Sequence, residues 1–203
     1  MASTDWERLK EKGNEEFRKK DYTTAIALYT EALNINPNEE TLWGNRSQCY
    51  KALGKLKQAK FDLQKALEIN PKNIKNIKRL ATIQTMTGNF GEAEQLYQRC
   101  VNLEPRDLSH SRDLNKIRNL IKDWETLKDN FDKENYTKCE EICNKMIVEC
   151  SHCLELKKMF IHSLLNNVKL KEALNFINNL TSDDRMDDEI QYYLILTYYY
   201  DGQ

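Results

Sequence analysis

Apolar positions recur along this chain at helical spacing, in paired segments separated by short polar turns. The first pair runs roughly from Asp5 to Lys19 and from Tyr22 to Asn34. The pattern then returns at a fixed distance. Ala25, Ala59 and Ala93 fall 34 residues apart, as do Tyr29, Leu63 and Tyr97, and Ala32, Ala66 and Cys100. The three prolines, at 37, 71 and 105, keep the same interval. Each ends the second segment of a pair, because the residue before a proline avoids helical backbone. Turns reading KKDY, LGKL and TGNF separate the two segments of each pair. An internal repeat of this length predicts a stack of helix pairs, with units at 6–39, 40–73 and 74–107.

The phase then slips by twelve residues and resumes. Tyr136, Cys139, Cys143 and Met146 fit the second helix of a unit at 120–153, and Leu170, Ala173, Ile177 and Leu180 that of a unit at 154–187. Within the slip, LSHSRDLNKIRNLIKDWETLKDNF has no helix breaker and spaces Leu114, Ile117, Ile121, Trp124 and Phe131 helically. One long helix over 108–131 is expected, capping the first three units and opening the fourth. Residues 188–203 match only the first helix of a sixth unit, with Ile195 at its small-residue position and Gly202 at its turn. QYYLILTYYY is thereby left without a partner helix, the expectation for a fragment of a longer protein or for an end completed by another surface. The domain reading is three repeats at 5–107, the long helix at 108–131, and two and a half repeats at 120–203.

The period and the small–aromatic–small–proline pattern resemble the tetratricopeptide repeat. That resemblance implies an all-α fold, a right-handed α-solenoid (superhelix) of antiparallel helix pairs. Gly13, Ser47 and Ala81 share its small position in the first helix of a unit. A mid-helix glycine costs about 1 kcal/mol relative to alanine, so Gly13 reads as a position of close packing.

Composition narrows the function. With 31% charged residues and a net charge of −1, nothing calls for a nucleic-acid partner. MASTDWERLK lacks the apolar core of a signal peptide, and IQYYLILTYYY, with 11 residues, is too short to span a membrane. Six cysteines read as reduced thiols, which points to the cytoplasm. Cys139 and Cys143 fall on core positions and Cys150 and Cys153 on a turn, so one tetrahedral zinc site does not easily use both pairs. DDRMDDE, 183–189, lacks the glycine and spacing of a calcium loop and reads as a solvated turn. His110, His152 and His162 are scattered, and no phosphate-binding glycine loop appears. Neither an enzyme, a metal nor a cofactor is expected.

First helices of such repeats line the inner groove. There the chain carries Lys10 and Asn14, then Asn45, then Lys75 and Arg79. These five match the carboxylate clamp of chaperone-binding tetratricopeptide domains. The resemblance implies a co-chaperone adaptor for the C-terminal Glu-Glu-Val-Asp tails of heat shock protein 70, heat shock protein 90, or both. The chemistry suits such a ligand: a terminal aspartate presents two carboxylates, lysines supply steerable charges, arginine a planar fork and asparagines neutral donors. Phe17, Gln48, Thr82, Ile83 and Met86 are the neighbouring positions expected to grip residues upstream. The same register begun at unit four gives Trp124, Lys128, Met159, Glu189 and Tyr193, so no second clamp is expected. A client or a second chaperone is the expected ligand of that half.

The whole layout, three clamp-bearing units, a long helix and further units with FDKENYTKC, resembles the tetratricopeptide J-protein co-chaperones (DnaJ homologue subfamily C member 7). Any J domain implied lies outside these residues, which hold no His-Pro-Asp triplet. The alternatives are a Hop-type organising adaptor, the regulatory segment of a phosphatase or peptidyl-prolyl isomerase, and a scaffold whose groove ignores free carboxylates.

Overall fold

The computed structural model describes residues 4–201, so the turn expected at Gly202 lies outside the described residues. Twelve helices follow one another among them. They pair as α1 (Asp5–Arg18) with α2 (Tyr22–Ile35), α3 (Glu40–Ala52) with α4 (Leu56–Ile69), and α5 (Ile74–Met86) with α6 (Phe90–Leu103). Then come α7 (Leu108–Asp132) with α8 (Tyr136–Met146) and α9 (Leu154–Asn166) with α10 (Leu170–Asn178). A short α11 (Ser182–Arg185) precedes α12 (Asp188–Asp201). The architecture is an all-α, tetratricopeptide-type solenoid of antiparallel helix pairs. None of the described helices is long and apolar enough to cross a membrane.

Local signals set the helix ends. The Glu7 carboxylate accepts the Thr4 N–H at 2.8 Å, and Asp21 accepts both the N–H and the hydroxyl of Thr24, at 3.0 and 2.7 Å. At each turn inside a pair one residue takes positive φ: Lys20 (64°), Gly54 (72°), Gly88 (81°), Glu134 (57°) and Val168 (59°). These positions repeat the 34-residue interval, with the twelve-residue slip between the third and fourth. The hydrogen bonds are those of a Schellman stop: Lys20 N–H to Phe17 O and Asp21 N–H to Glu16 O, matched by Val168 to Leu165 and Lys169 to Leu164.

Two compact units divide the chain, Met1–Gln84 with Gly91–Leu114, and Thr85–Phe90 with Asn115–Gln203. In the first unit, Ala25, Tyr29, Ala32, Leu33, Leu42 and Cys49 form one buried cluster. A β-carbon on Gly13 would stand 2.7 Å from Cε1 of Tyr29, so the absence of a side chain lets α1 close onto that ring. Arg46 holds the next pair together, donating from Nε and Nη2 to Asp62 at 2.9 and 2.8 Å and from Nη1 to Thr30 at 3.0 Å. In the second unit, Ile161, Ile177, Leu180, Ile190 and Tyr193 form the corresponding cluster. Gly13, Ser47, Ala81, Leu127 and Ile161 share the small-residue register and are all buried, whereas Ile195 of α12 is 65% exposed.

The acidic run at 183–189 is largely exposed, as expected of a solvated segment, but it is mostly helical where a turn was expected. Its residues form α11 and open α12, and three of its carboxylates, those of Asp184, Asp187 and Glu189, are anchored. Lys157, buried, donates to Asp184 at 2.7 Å, and Lys158 pairs with Asp187 at 2.9 Å. Two lysines of α9 therefore neutralise acids that the sequence displays as a run.

Candidate functional site

The helical repeat brings Asn14 and Phe17 onto one face of α1, Asn45 and Gln48 onto one face of α3, and Lys75 and Arg79 onto one face of α5. These six side chains, with Arg18 and Tyr29, line a single cavity of about 350 Å³ in the first unit. Four of the five residues anticipated as a clamp are thus in one place. Lys10 is not among the lining residues. Its Nζ stands 3.8 Å from the Glu39 carboxylate and 5.5 Å from the centre of the Trp6 ring.

The polar groups of the cavity are oriented from behind. Asn14 Oδ1 accepts the Tyr29 hydroxyl at 2.8 Å and the Asn45 amide at 3.2 Å. That fixes which end of the Asn14 amide faces the protein and leaves its NH₂ to donate outward, where Glu11 takes it at 3.0 Å. Burial pushes the Tyr29 phenol above its ordinary pKa, so it remains a donor. Arg79 donates from Nη1 to the Gly44 carbonyl at 2.9 Å and to Asn76 Oδ1 at 3.2 Å. Burial lowers the Arg79 pKa from its usual value, a direct expression of desolvation, and the guanidinium stays charged. A partly desolvated cation beside fixed neutral donors is suited to carboxylate. Lys75, exposed, adds a mobile charge.

The secondary candidates divide. Phe17 and Gln48 line the cavity. The Thr82 hydroxyl donates to Lys78 O at 2.9 Å. Ile83 is a correction: at 1% exposure it belongs to the core and presents no surface to a ligand. Met86 belongs to the second compact unit, where its carbonyl accepts the His152 N–H at 2.9 Å. Arg18 and Tyr29 line the cavity without having been anticipated. The sequence shows Tyr29 only as a position of the repeat; its spacing gives no sign of a hydroxyl aimed at Asn14.

At the equivalent positions of the second unit the chemistry differs. Trp124 packs on Phe90 with ring centres 5.6 Å apart, and Met159 and Tyr193 are buried. The Tyr193 hydroxyl donates to Glu189 at 2.6 Å and lies 3.1 Å from His162 Nδ1. All six cysteines are free and buried. Burial pushes Cys49 up to about 11 and Cys143 and Cys150 up to about 12, so these thiols hold their protons at neutral pH. Glu104, Asp107 and His110 bring ligand-type atoms within 4.8 Å of one another. There the buried imidazole contacts the two exposed carboxylates at 3.1 and 3.6 Å and ties the start of α7 to the preceding turn.

Comparison with known proteins shows what these features resemble. The tetratricopeptide repeat model matches residues 11–39 and 40–73. Hsp70-Hsp90 organizing protein 3 of Arabidopsis thaliana is 35% identical over 101 residues, half of this chain and 18% of that protein. The chain spans less than a fifth of the length of the first curated relatives it matches. A solved structure described as the first TPR of Spaghetti (RPAP3) bound to HSP90 peptide SRMEEVD is 30% identical. It superposes with a TM-score of 0.55 over 60% of this chain and 96% of that one. The P58(IPK) TPR domain, 20% identical, matches in fold over 98% of this chain and 56% of its own, with a TM-score of 0.80.

Proposed function

We propose that this chain, a tetratricopeptide-repeat protein resembling the Hsp70-Hsp90 organizing proteins through its first half, is a co-chaperone adaptor. Its ligands are the C-terminal Glu-Glu-Val-Asp tails of heat shock protein 70, heat shock protein 90, or both. The observation that carries this reading is the cavity in which Asn14, Asn45, Lys75 and Arg79 converge from three first helices. The related RPAP3 repeat adds support, because the peptide bound to it ends in the same four residues. Lys10 joins the clamp by leaving Glu39. The fold is that of a binding scaffold and not of a catalytic domain.

The finer assignment, to a J-protein of the DnaJ subfamily C member 7 type, rests on the order of three units, the long α7 and the units after it. The named relatives favour the organising type instead. A transcript encoding a His-Pro-Asp J domain with these repeats would decide for the J-protein. The reading extends to the cytoplasm, with the six free thiols as its support.

Calorimetric titration tests the binding. A peptide ending in Glu-Glu-Val-Asp is expected to bind with micromolar affinity, and its C-terminal amide to bind far more weakly. Equal binding of acid and amide, or no binding of either, would sink the reading.

A further inference from the structure

We infer that Asn76 is a positioning residue of the cavity: with the Gly44 carbonyl it locks Nη1 of Arg79 and so reserves the opposite edge of the guanidinium for a carboxylate. The inference deepens the clamp reading and rests on it for the ligand. Asn76 stands beside Lys75 on α5, yet its side chain is buried, 2% exposed. Its Oδ1 accepts Arg79 Nη1 at 3.2 Å, while its Nδ2 is buried with no hydrogen-bond partner. A buried, unpartnered amide N–H₂ disfavours folding. Position 76 follows Leu42 by one repeat, and Leu42 is fully buried there, so a leucine suits this register. The asparagine is therefore a poor choice for stability alone.

Gly44 completes the device. A β-carbon on it would come 2.5 Å from Asn76 Oδ1 and 2.9 Å from Arg79 Nη1. Its bare backbone admits both side chains and offers the carbonyl that Nη1 meets at 2.9 Å. Among the described residues, the Arg79 side chain makes hydrogen bonds through Nη1 only. Nη1 lies on the Cδ side of the guanidinium plane, so tying it down leaves Nε–H and Nη2–H, the parallel pair that grips a carboxylate with two bonds. A guanidinium already fixed in one orientation loses less freedom on binding.

The test is Asn76→Leu in the whole chain, read three ways. Affinity for a Glu-Glu-Val-Asp peptide should fall by about five- to tenfold. The melting temperature should hold or rise. The Arg79 Nε–H signal in ¹⁵N spectra of the free protein should shift and broaden as the side chain is released. An unchanged Arg79 signal would overturn the inference, as would a loss of affinity accompanied by a lowered melting temperature. If the wild-type chain shows no preference for acid over amide peptide, the clamp reading falls, and the Arg79 signal still decides what Asn76 does.

Discussion

Residues 79 and 193 occupy corresponding places on the first helices of two repeats, α5 in the first unit and α12 in the second, and they have opposite lives. Arg79 lines a cavity and keeps one edge of its guanidinium unspent. Tyr193 is 7% exposed, and its hydroxyl is spent on Glu189 beside His162. The same contrast holds between Asn45, which sits in the cavity, and Met159, which is buried. One scaffold position thus lines an open cavity in the first unit and is packed into the core in the second. Repeat proteins permit this because each unit rests on its neighbours, so a face can be given to packing or to ligand without altering the backbone plan.

The largest expected effects break the comparison at those two positions. Arg79→Ala removes a charged hydrogen-bond donor and should weaken Glu-Glu-Val-Asp peptide binding by roughly tenfold to a hundredfold in calorimetry. Its melting temperature should change little beside that of Tyr193→Ala. Tyr193→Ala opens a cavity in the second core, with an expected loss of about 3 kcal/mol or more in denaturant unfolding, and leaves peptide affinity within twofold. A Tyr193 variant that lost peptide binding while still folded would show that the second unit takes part in recognition.

A smaller effect is expected where packing and recognition meet. Gly13→Ala would press a methyl group against the Tyr29 ring, whose hydroxyl orients Asn14. Overpacking costs about 1–3 kcal/mol and the better helix propensity of alanine returns about 1. A net loss of about 1 kcal/mol is expected, with weaker peptide binding as the Tyr29 hydroxyl is displaced. The matching substitution Ser47→Ala, at a site whose hydroxyl bonds only to Gly44 O and the Gln48 amide, should cost less. Equal costs at 13 and 47 would mean that Tyr29 yields.

The helix pairs were legible because the sequence repeats them, and period survives changes of residue type. What a period cannot convey is which side chain meets which across the loops. Lys10 was expected in the cavity, but Glu39, on a loop 29 residues away, draws it aside. Ile83 was misplaced for a geometric reason. Each four-residue step advances about 40° beyond a full turn, so the row Lys75, Arg79, Ile83 drifts from the open face into the core. The register held the warning, since Ile83 follows Cys49 by one repeat and Cys49 is fully buried. Gly44 and Asn76 carried no signal, because their roles exist only where α3 meets α5.

The turns offer a comparison at the level of the backbone. Gly54 and Gly88 adopt positive φ at no steric cost, while Val168 does so at 59° with a branched β-carbon. Left-handed backbone costs a non-glycine residue roughly 1–2 kcal/mol, part of which the greater freedom of unfolded glycine takes back. Val168→Gly should therefore stabilise the chain by about 0.5–1 kcal/mol, read from the urea midpoint. Gly54→Val should destabilise it by at least as much. A neutral Val168→Gly would mean that the side chain, 79% exposed, contributes contacts the turn needs.

The smallest expected effect concerns the lysine that stands apart. Glu39 holds Lys10 at 3.8 Å, with both side chains only partly exposed, and also accepts the Thr41 hydroxyl. A ligand carboxylate must compete with this internal acid for the same ammonium group. Glu39→Gln keeps an acceptor for Thr41 and removes the competing charge. Partly exposed ion pairs are worth about 0.2–1 kcal/mol, so peptide affinity should rise by roughly two- to fivefold at low salt. The gain should shrink as salt screens the ligand's attraction to the freed lysine. Stability should move the other way by a few tenths of a kcal/mol, because an acid at the start of α3 is lost. Opposite signs for affinity and stability would mark Glu39 as a competitor built into the site. A fall in both would instead make it a support that holds Lys10 ready for the ligand, and Lys10→Ala in the Glu39→Gln background would then cost no further affinity.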